Sequence, residues 1–553
     1  MKVKHFLSKI KKKIKAIKNK KLKLHVDTEA ETASTNKPTL PTDCLVEILQ
    51  YLVDDKATLF SAALVSRTWC RISIPFLWSS INVNRNKTSL IETFIKCMND
   101  DECEAVSEYL KPSYPPPLFL YTSYVKELDW NKVDYLFVDN QQDPSNRKSI
   151  WKSILQMANK EEKEKIVKRM MTQICTLIFR TATSLEKFVV DIRRTRRAIP
   201  AFAMLPNCSA IFSRLKEVQL IGSAGVMYYD VASVSSREII RLMQSVSSNI
   251  GSLKIHLSLY HGCIDDLCDL IKIQNRLEHV SFTGINDDHL PVIQVLQTQA
   301  KWLVSLEFKN TCIFDSIISL LSNLGIFTKL ESLIFNDCYP KYNLPIVRKF
   351  VSQPPRCLRK LYIDYNFIQN DDEFLVMLIE TSGRYLEDLI IMKDCSETMY
   401  KAIGKYCKSL LSLQINPAKL ESLSLSEVIA KLQNLKHLSL VDPFGIKGTF
   451  PDELWAELSR KSSSNLCSLH FNYSQTTPRA LTNFLSNRGE PIKVFEFGRH
   501  VHLTDEHLLA ILNYCKERQV FVKIYSLHFR QMEKFDSSLI KQLEEWVRLV
   551  PRI

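Results

Sequence analysis

The chain has 553 residues, 45% of them hydrophobic, with fifteen cysteines and a formal charge of +14. That is ample material for a packed core, and in an ordinary protein it would divide into about three or four domains. Eleven lysines and no acidic residue fall in Met1–Val26, so setting that stretch aside takes the +14 down to +3 and removes the case for a general nucleic-acid-binding surface.

The cysteines include no Cys-x-x-Cys pair, which excludes the common zinc and thioredoxin-like spacings and makes reduced thiols the expectation. No run is apolar enough to span a membrane, and lysines interrupt any secretory h-region at the start. The expected location is the cytoplasm, the nucleus or both.

Residues 1–38 read as a basic tail and linker. Val3, Phe6, Leu7, Ile10, Ile14 and Ile17 would share one helical stripe among the lysines. The tail is a solvated segment, a lysine-rich import signal or a membrane-contacting helix, and the sequence leaves these open. Asp27 to Pro38 lacks large apolar residues and reads as the linker.

Residues 39–83 form an apolar helical module too short to bury a core of its own. Leu40-Pro41 opens it, because proline is tolerated in a first helical turn, and Thr42 or Asp43 would cap the helix. Leu45, Ile48, Leu49 and Leu52 follow at helical spacing up to Asp54-Asp55. Leu59 to Val65 and Arg67 to Ile72 supply two more short helices. With Leu40-Pro41, Ile48, Leu49, Leu52, Asp55, Leu64, Val65, Ser66 and Trp69 in place, the segment resembles the F-box. The resemblance implies that Leu40, Pro41, Ile48, Leu49, Leu52, Leu64 and Val65 bind the Skp adaptor of a Skp–cullin–F-box ubiquitin ligase, with Trp69 bracing the helices. An intramolecular three-helix cap is the alternative.

Residues 84–183 are the least readable part, a linker or insert in which Val125 to Trp130 could found a repeat and Lys148 to Phe179 looks like two charged helices. Over residues 184–553, strand-like cores of the form Leu-x-x-Leu-x-Leu start at Leu185, Leu215, Ile250, Leu277, Leu303, Leu330, Leu358, Leu386, Leu410, Leu435, Leu466, Ile492 and Ile524. Their starts lie 24 to 35 residues apart, with helical stretches such as Asp371 to Thr381, Ser424 to Leu432 and Asp505 to Glu517 between them. The pattern resembles leucine-rich repeats and predicts an α/β solenoid of parallel strands with helices outside. Cys338 and Asn366 occupy the ninth repeat position, where a side chain satisfies backbone at the turn.

In that frame the fourth and sixth positions point inward and the fifth points out. Most fifth positions are polar, but Ile334, Tyr362 and Ile390 are apolar in three consecutive strands. Met392 extends the strip, and Lys309, Asn336 and Asp364 rim it. This is the candidate surface for an unidentified protein substrate. A segment of the same chain covering the strip is the alternative.

Arg193, Arg194, Arg196 and Arg197 read as a solvated loop, and His500, His502 and His507 lack the partners of a metal site. No catalytic residue, metal or cofactor is expected. By resemblance the chain is a non-enzymatic adaptor, docked through a Skp-type protein to a cullin. The alternative is a scaffold, or a tail-anchored interaction protein, without a role in degradation.

Overall fold

The computed structural model describes residues 41–551, leaving aside 82, 84–86, 105, 107–115, 139–158, 192–199, 222–228, 257–262, 286–288, 314–316, 318–319, 321–322, 341–354, 365–372, 395, 417–421, 442–451, 472–476, 499–502 and 527–533. They fall into two units. The first runs to Leu220 and includes Asp230–Ser247, and the second comprises Ile221–Tyr229 and Ser248–Ile553.

The first unit opens with three helices, α1 (Thr42–Gln50), α2 (Lys56–Ala63) and α3 (Arg67–Leu77). Pro41 lies just before α1, and its carbonyl accepts the first helical bond from Leu45 N at 3.1 Å. No side chain caps this end, so the cap expected from Thr42 or Asp43 is absent. Asp55 caps α2 through Thr58 N at 3.0 Å, and Ser66 caps α3 through Trp69 N at 3.2 Å. These two caps cut the apolar run into separate helices that fold against one another. Leu49, Leu52, Leu59 and Ala62 form their core, closed by Trp69, Ile72, Phe76 and Leu77.

Beyond the helices, β1 (Glu127–Asp129) pairs in parallel with β2 (Lys187–Asp191), placing Leu128 opposite Phe188. The founding strand expected at Val125 to Trp130 is therefore present. β3 (Glu217–Ile221) follows with alternating burial. A single helix, Lys160–Thr181, occupies the described part of the region where two charged helices were expected. It starts at a capping box in which Asn159 and Glu162 bond each other's backbone amides at 2.9 and 3.0 Å. Arg180, in its last turn, donates to both carboxylate oxygens of buried Glu102 at 2.9 Å each, tying the helix to Asp100–Glu104.

The second unit is an α/β repeat array. Among the described residues its main sheet has twelve strands, β4 (Ser252–His256), β5 (His279–Thr283), β6 (Ser305–Lys309), β7 (Ser332–Asn336), β8 (Lys360–Ile363), β9 (Asp388–Asp394), β10 (Ser412–Asn416), β11 (His437–Leu440), β12 (Ser468–Phe471), β13 (Val494–Phe497), β14 (Val522–Ser526) and β15 (Val547–Pro551), and Cys312–Ile313 pairs separately with Tyr339–Pro340. Each is parallel to its neighbour, in chain order. The connecting helices include Glu373–Ser382, Ser422–Lys431 and Asp505–Arg518, close to the spans expected, and from Glu373 onward each helix packs on the next. Inward positions such as Leu306, Phe308, Leu333 and Phe335 are fully buried, which is why no repeat can stand alone.

Within this unit the strand framing holds from Leu253 of β4 through β13 and fails at β14. There Glu496 lies opposite Tyr525, so the repeat begins at Phe521 and the outward residue is Tyr525 rather than His528. The inward sixth position is the buried Ser526, so the true unit lacks one of its apolar marks, and its first residue, Phe521, is exposed. β15 lies beyond the last repeat that the sequence predicts.

Buried polar side chains close the turns between helices and strands. Gln274 accepts from Ile250 N at 2.9 Å and donates to Leu270 O at 2.7 Å, and Gln299 donates to Ile271 O at 3.0 Å and Gln274 O at 3.1 Å. Arg488 does the same work later, donating to Ser463 O at 2.9 Å and Leu466 O at 2.6 Å, and its burial lowers the pKa of its guanidinium. At the ninth repeat position the thiol of Cys338 donates to Phe308 O at 3.3 Å, the role expected of it. Asn366 lies outside the described residues.

Candidate functional site

In the helical module, the buried stripe of α1 and α2 leaves other apolar side chains facing out. Tyr51 is 74% exposed, Phe60 60% and Leu64 72%, with Val46 and Val65 also exposed. Leu64 and Val65 sit in the turn after α2, held by bonds from their amides to Ser61 O and Ala62 O. Of the residues expected to dock an adaptor, Pro41, Leu64 and Val65 are exposed and Ile48 is half-buried. Leu40 lies outside the described residues.

Leu49 and Leu52 require correction. Both are sealed in the module's own core, because spacing of three and four turns them onto the face that meets α2 and α3. They shape the surface from beneath and do not form it. Tyr51 and Phe60 were missed in the sequence, although Phe60 falls out of phase with the buried pair Leu59 and Ala62.

The F-box-like family matches residues 38–84. These residues are an F-box-like domain. No curated protein matches the chain. Among solved structures, the crystal structure of the Rad7 and Elc1 complex in yeast is similar to it at 14% identity and a TM-score of 0.38, covering 94% of this chain and 99% of that chain. That likeness is too slight to bear on function.

In the second unit, register sets Glu307, Ile334, Tyr362, Ile390 and Gln414 side by side across β6 to β10. The apolar members are half-buried on the outward face, between inward residues that are fully buried. Burial, then Asp364 and Glu307, push the Tyr362 phenol above its ordinary pKa, so it stays a neutral hydroxyl at physiological pH. Met392 lies beside Gln414, whose amide nitrogen is 2.9 Å from its sulfur.

The rim is built of ion pairs and turn anchors. Lys309 bonds Glu307 at 2.8 Å, and Lys360 bonds Asp388 at 3.3 Å. Asp364 accepts from Asp337 N at 3.0 Å, holding a residue whose φ is 54°. Of the proposed rim, Asp364 is thus partly committed to the turn, while Lys309 stands over a more buried carboxylate.

His507 closes the start of its own helix. Its Nδ1 is 2.7 Å from Thr504 Oγ1 and accepts from Thr504 N at 3.2 Å, which closes the N-terminus of that helix. His500, His502 and the Arg193–Arg197 run lie outside the described residues. Among the described residues no group of three or more His, Cys, Asp or Glu is placed to hold a metal ion.

Proposed function

We propose that this chain is the substrate-recognition adaptor of a Skp–cullin–F-box ubiquitin ligase, acting in the cytoplasm or nucleus. The F-box-like domain docks a Skp-type adaptor and through it a cullin, and the repeats capture a protein for ubiquitination. One observation carries the reading: a helical module matching the F-box-like family has a sealed core and yet keeps Tyr51, Phe60, Leu64 and Val65 on its surface. Exposed apolar groups on so small a module are the signature of a docking face.

The chain's contribution to chemistry is positional. Holding a target lysine near a charged ubiquitin carrier raises its effective concentration, and a rigid array limits the orientational freedom that would dilute that gain.

The test is co-purification of the full chain with a recombinant Skp-type adaptor, comparing wild type with the double variant Leu64→Asp, Val65→Asp. Both positions are exposed, so circular dichroism should stay unchanged while adaptor retention is lost. Retention by the double variant, or no retention by the wild type, refutes the docking assignment.

A further inference from the structure

We propose that residues 1–26 of this chain lie on the outward face of α1, with their apolar stripe against Tyr51 and their lysines against the acids beside it, and that this contact competes with the Skp-type adaptor. The contact stands on the surface of the module and on the composition of the tail. Its regulatory consequence rests on the adaptor reading of the F-box-like domain.

The face has an apolar row and an acidic row. Leu45 and Leu49 turn inward from α1, which sets Cys44, Ile48 and Tyr51, the last at the C-cap, along one line at helical spacing. Asp43 and Glu47 form the line beside it, four residues apart. Cys44 and Tyr51 are exposed and Ile48 is half-buried, and Asp43, Glu47 and Asp54 are exposed.

The charge of this surface is one-sided. From Pro41 to Val65 the chain has four acids and one lysine. That lysine, Lys56, is turned to the start of the next segment, where it donates to Phe76 O at 2.7 Å and Ser79 Oγ at 3.4 Å. The other cations of the described module, Arg67 and Arg71, lie on α3. Both carboxylate oxygens of Asp55 accept from Thr58, so Asp43, Glu47 and Asp54 are the acids assigned to the contact.

The chain supplies the matching occupant. Residues 1–26 carry eleven lysines and no acid, the opposite sign, and they repeat the same pattern of an apolar row beside a charged one. As a helix their stripe from Val3 to Ile17 would run about 21 Å, enough to cover the nine-residue α1 at about 13 Å. Asp27 to Leu40, fourteen residues, join the tail to Pro41 and reach up to about 45 Å when extended. The tether therefore holds the tail near the face at an effective concentration on the order of millimolar, and a contact too weak to form between separate molecules forms within one. Because Tyr51 also belongs to the adaptor-docking face, the adaptor binds only the fraction of molecules from which the tail has lifted.

The test compares the full wild-type chain with the variant Phe6→Asp, Ile10→Asp, Ile14→Asp, whose substitutions all fall outside the described fold. Zero-length carbodiimide cross-linking, mapped by mass spectrometry, should join tail lysines to Asp43, Glu47 or Asp54 in the wild type and not in the variant. A mixture of isotope-labelled and unlabelled chains should place those joins within one chain, and excess recombinant Skp-type adaptor should remove them. The variant should bind that adaptor about tenfold more tightly than the wild type, and the gap should close at about 0.5 M salt.

Cross-links spread evenly over the acids of the protein, or formed between chains, overturn the proposal. Equal adaptor affinity of wild type and variant does so too, and defeats this inference alone. If neither chain holds the adaptor the ligase reading fails, and the cross-links by themselves decide whether the tail lies on α1.

Discussion

At the scale of single residues, the F-box-like domain separates side chains that build its core from side chains left exposed, and residue type does not tell them apart. Leu49 has no exposed surface and Leu64 is almost bare, although both are leucines in one short segment. Leu49→Ala should lower stability by about 3 kcal/mol, the range for emptying a packed core site, and Leu64→Asp should change it by less than about 0.5 kcal/mol. Urea denaturation followed by circular dichroism measures both, and a large loss from Leu64→Asp would mean the turn after α2 is covered. The thiols make a second contrast. Burial pushes Cys175, Cys338, Cys407 and Cys515 up to about 12, whereas Cys44 is exposed. At pH 8 a disulfide reagent should label Cys44 in the native protein and reach the four buried thiols only on unfolding. The same displacement links stability to pH. An unfolded thiol releases its proton near 9.0 and the folded one near 12, so the stabilisation is whole below about 9 and drains away as pH rises toward 12. Stability that stayed flat across that window would mean the thiols are already solvated in the folded state.

At the scale of elements, caps and buried polar groups decide where helices begin and how turns close. Asp55 and Ser66 were legible in the sequence as members of the F-box pattern, and the structure shows their physical work as N-caps. Asp55→Ala should cost about 1 kcal/mol and fray α2, measured as lost amide protection at Thr58. Glu102 was not legible. Its sequence neighbours Asp100 and Asp101 suggest an exposed acidic turn, and only the fold brings Arg180 to it across 78 positions. Glu102→Gln keeps an acceptor for Asn99 N and discards the ion pair, which should cost about 2 kcal/mol because Arg180 is only partly exposed. An unchanged melting temperature would show the pair to be incidental. The strands were readable for the converse reason: alternation within each strand and a regular step between strands are both properties of the sequence itself. Reading failed at β14, where Ser526 takes an inward site that isoleucine, leucine or phenylalanine holds elsewhere and a spurious match over Ile524 to Phe529 filled the vacancy. The outward strip of Ile334, Tyr362 and Ile390 was readable because the framing was correct there, and the direction of the rim charges was not, since exposure within an ion pair depends on packing.

At the scale of the main sheet in the second unit, each strand bonds to its neighbours in chain order, so stability is local and should be lost locally. Phe308 tests this. Its ring stacks on Phe335 at 5.5 Å, both are fully buried, and Phe335 adjoins Ile334 in the strip. Phe308→Ala should cost about 4 kcal/mol, near the upper range for deleting a core side chain. Because an interior repeat has two dependent neighbours, hydrogen exchange should rise first in β5, β6 and β7 and leave β13 protected. A rise of equal size in β13 would show that the unit unfolds as one body and that the nearest-neighbour account is wrong. The local outcome has a corollary. The outward positions of β7 are held from behind by the same stack, so the local opening caused by Phe308→Ala should reach Ile334 while the core of the F-box-like domain, in the other unit, keeps its protection.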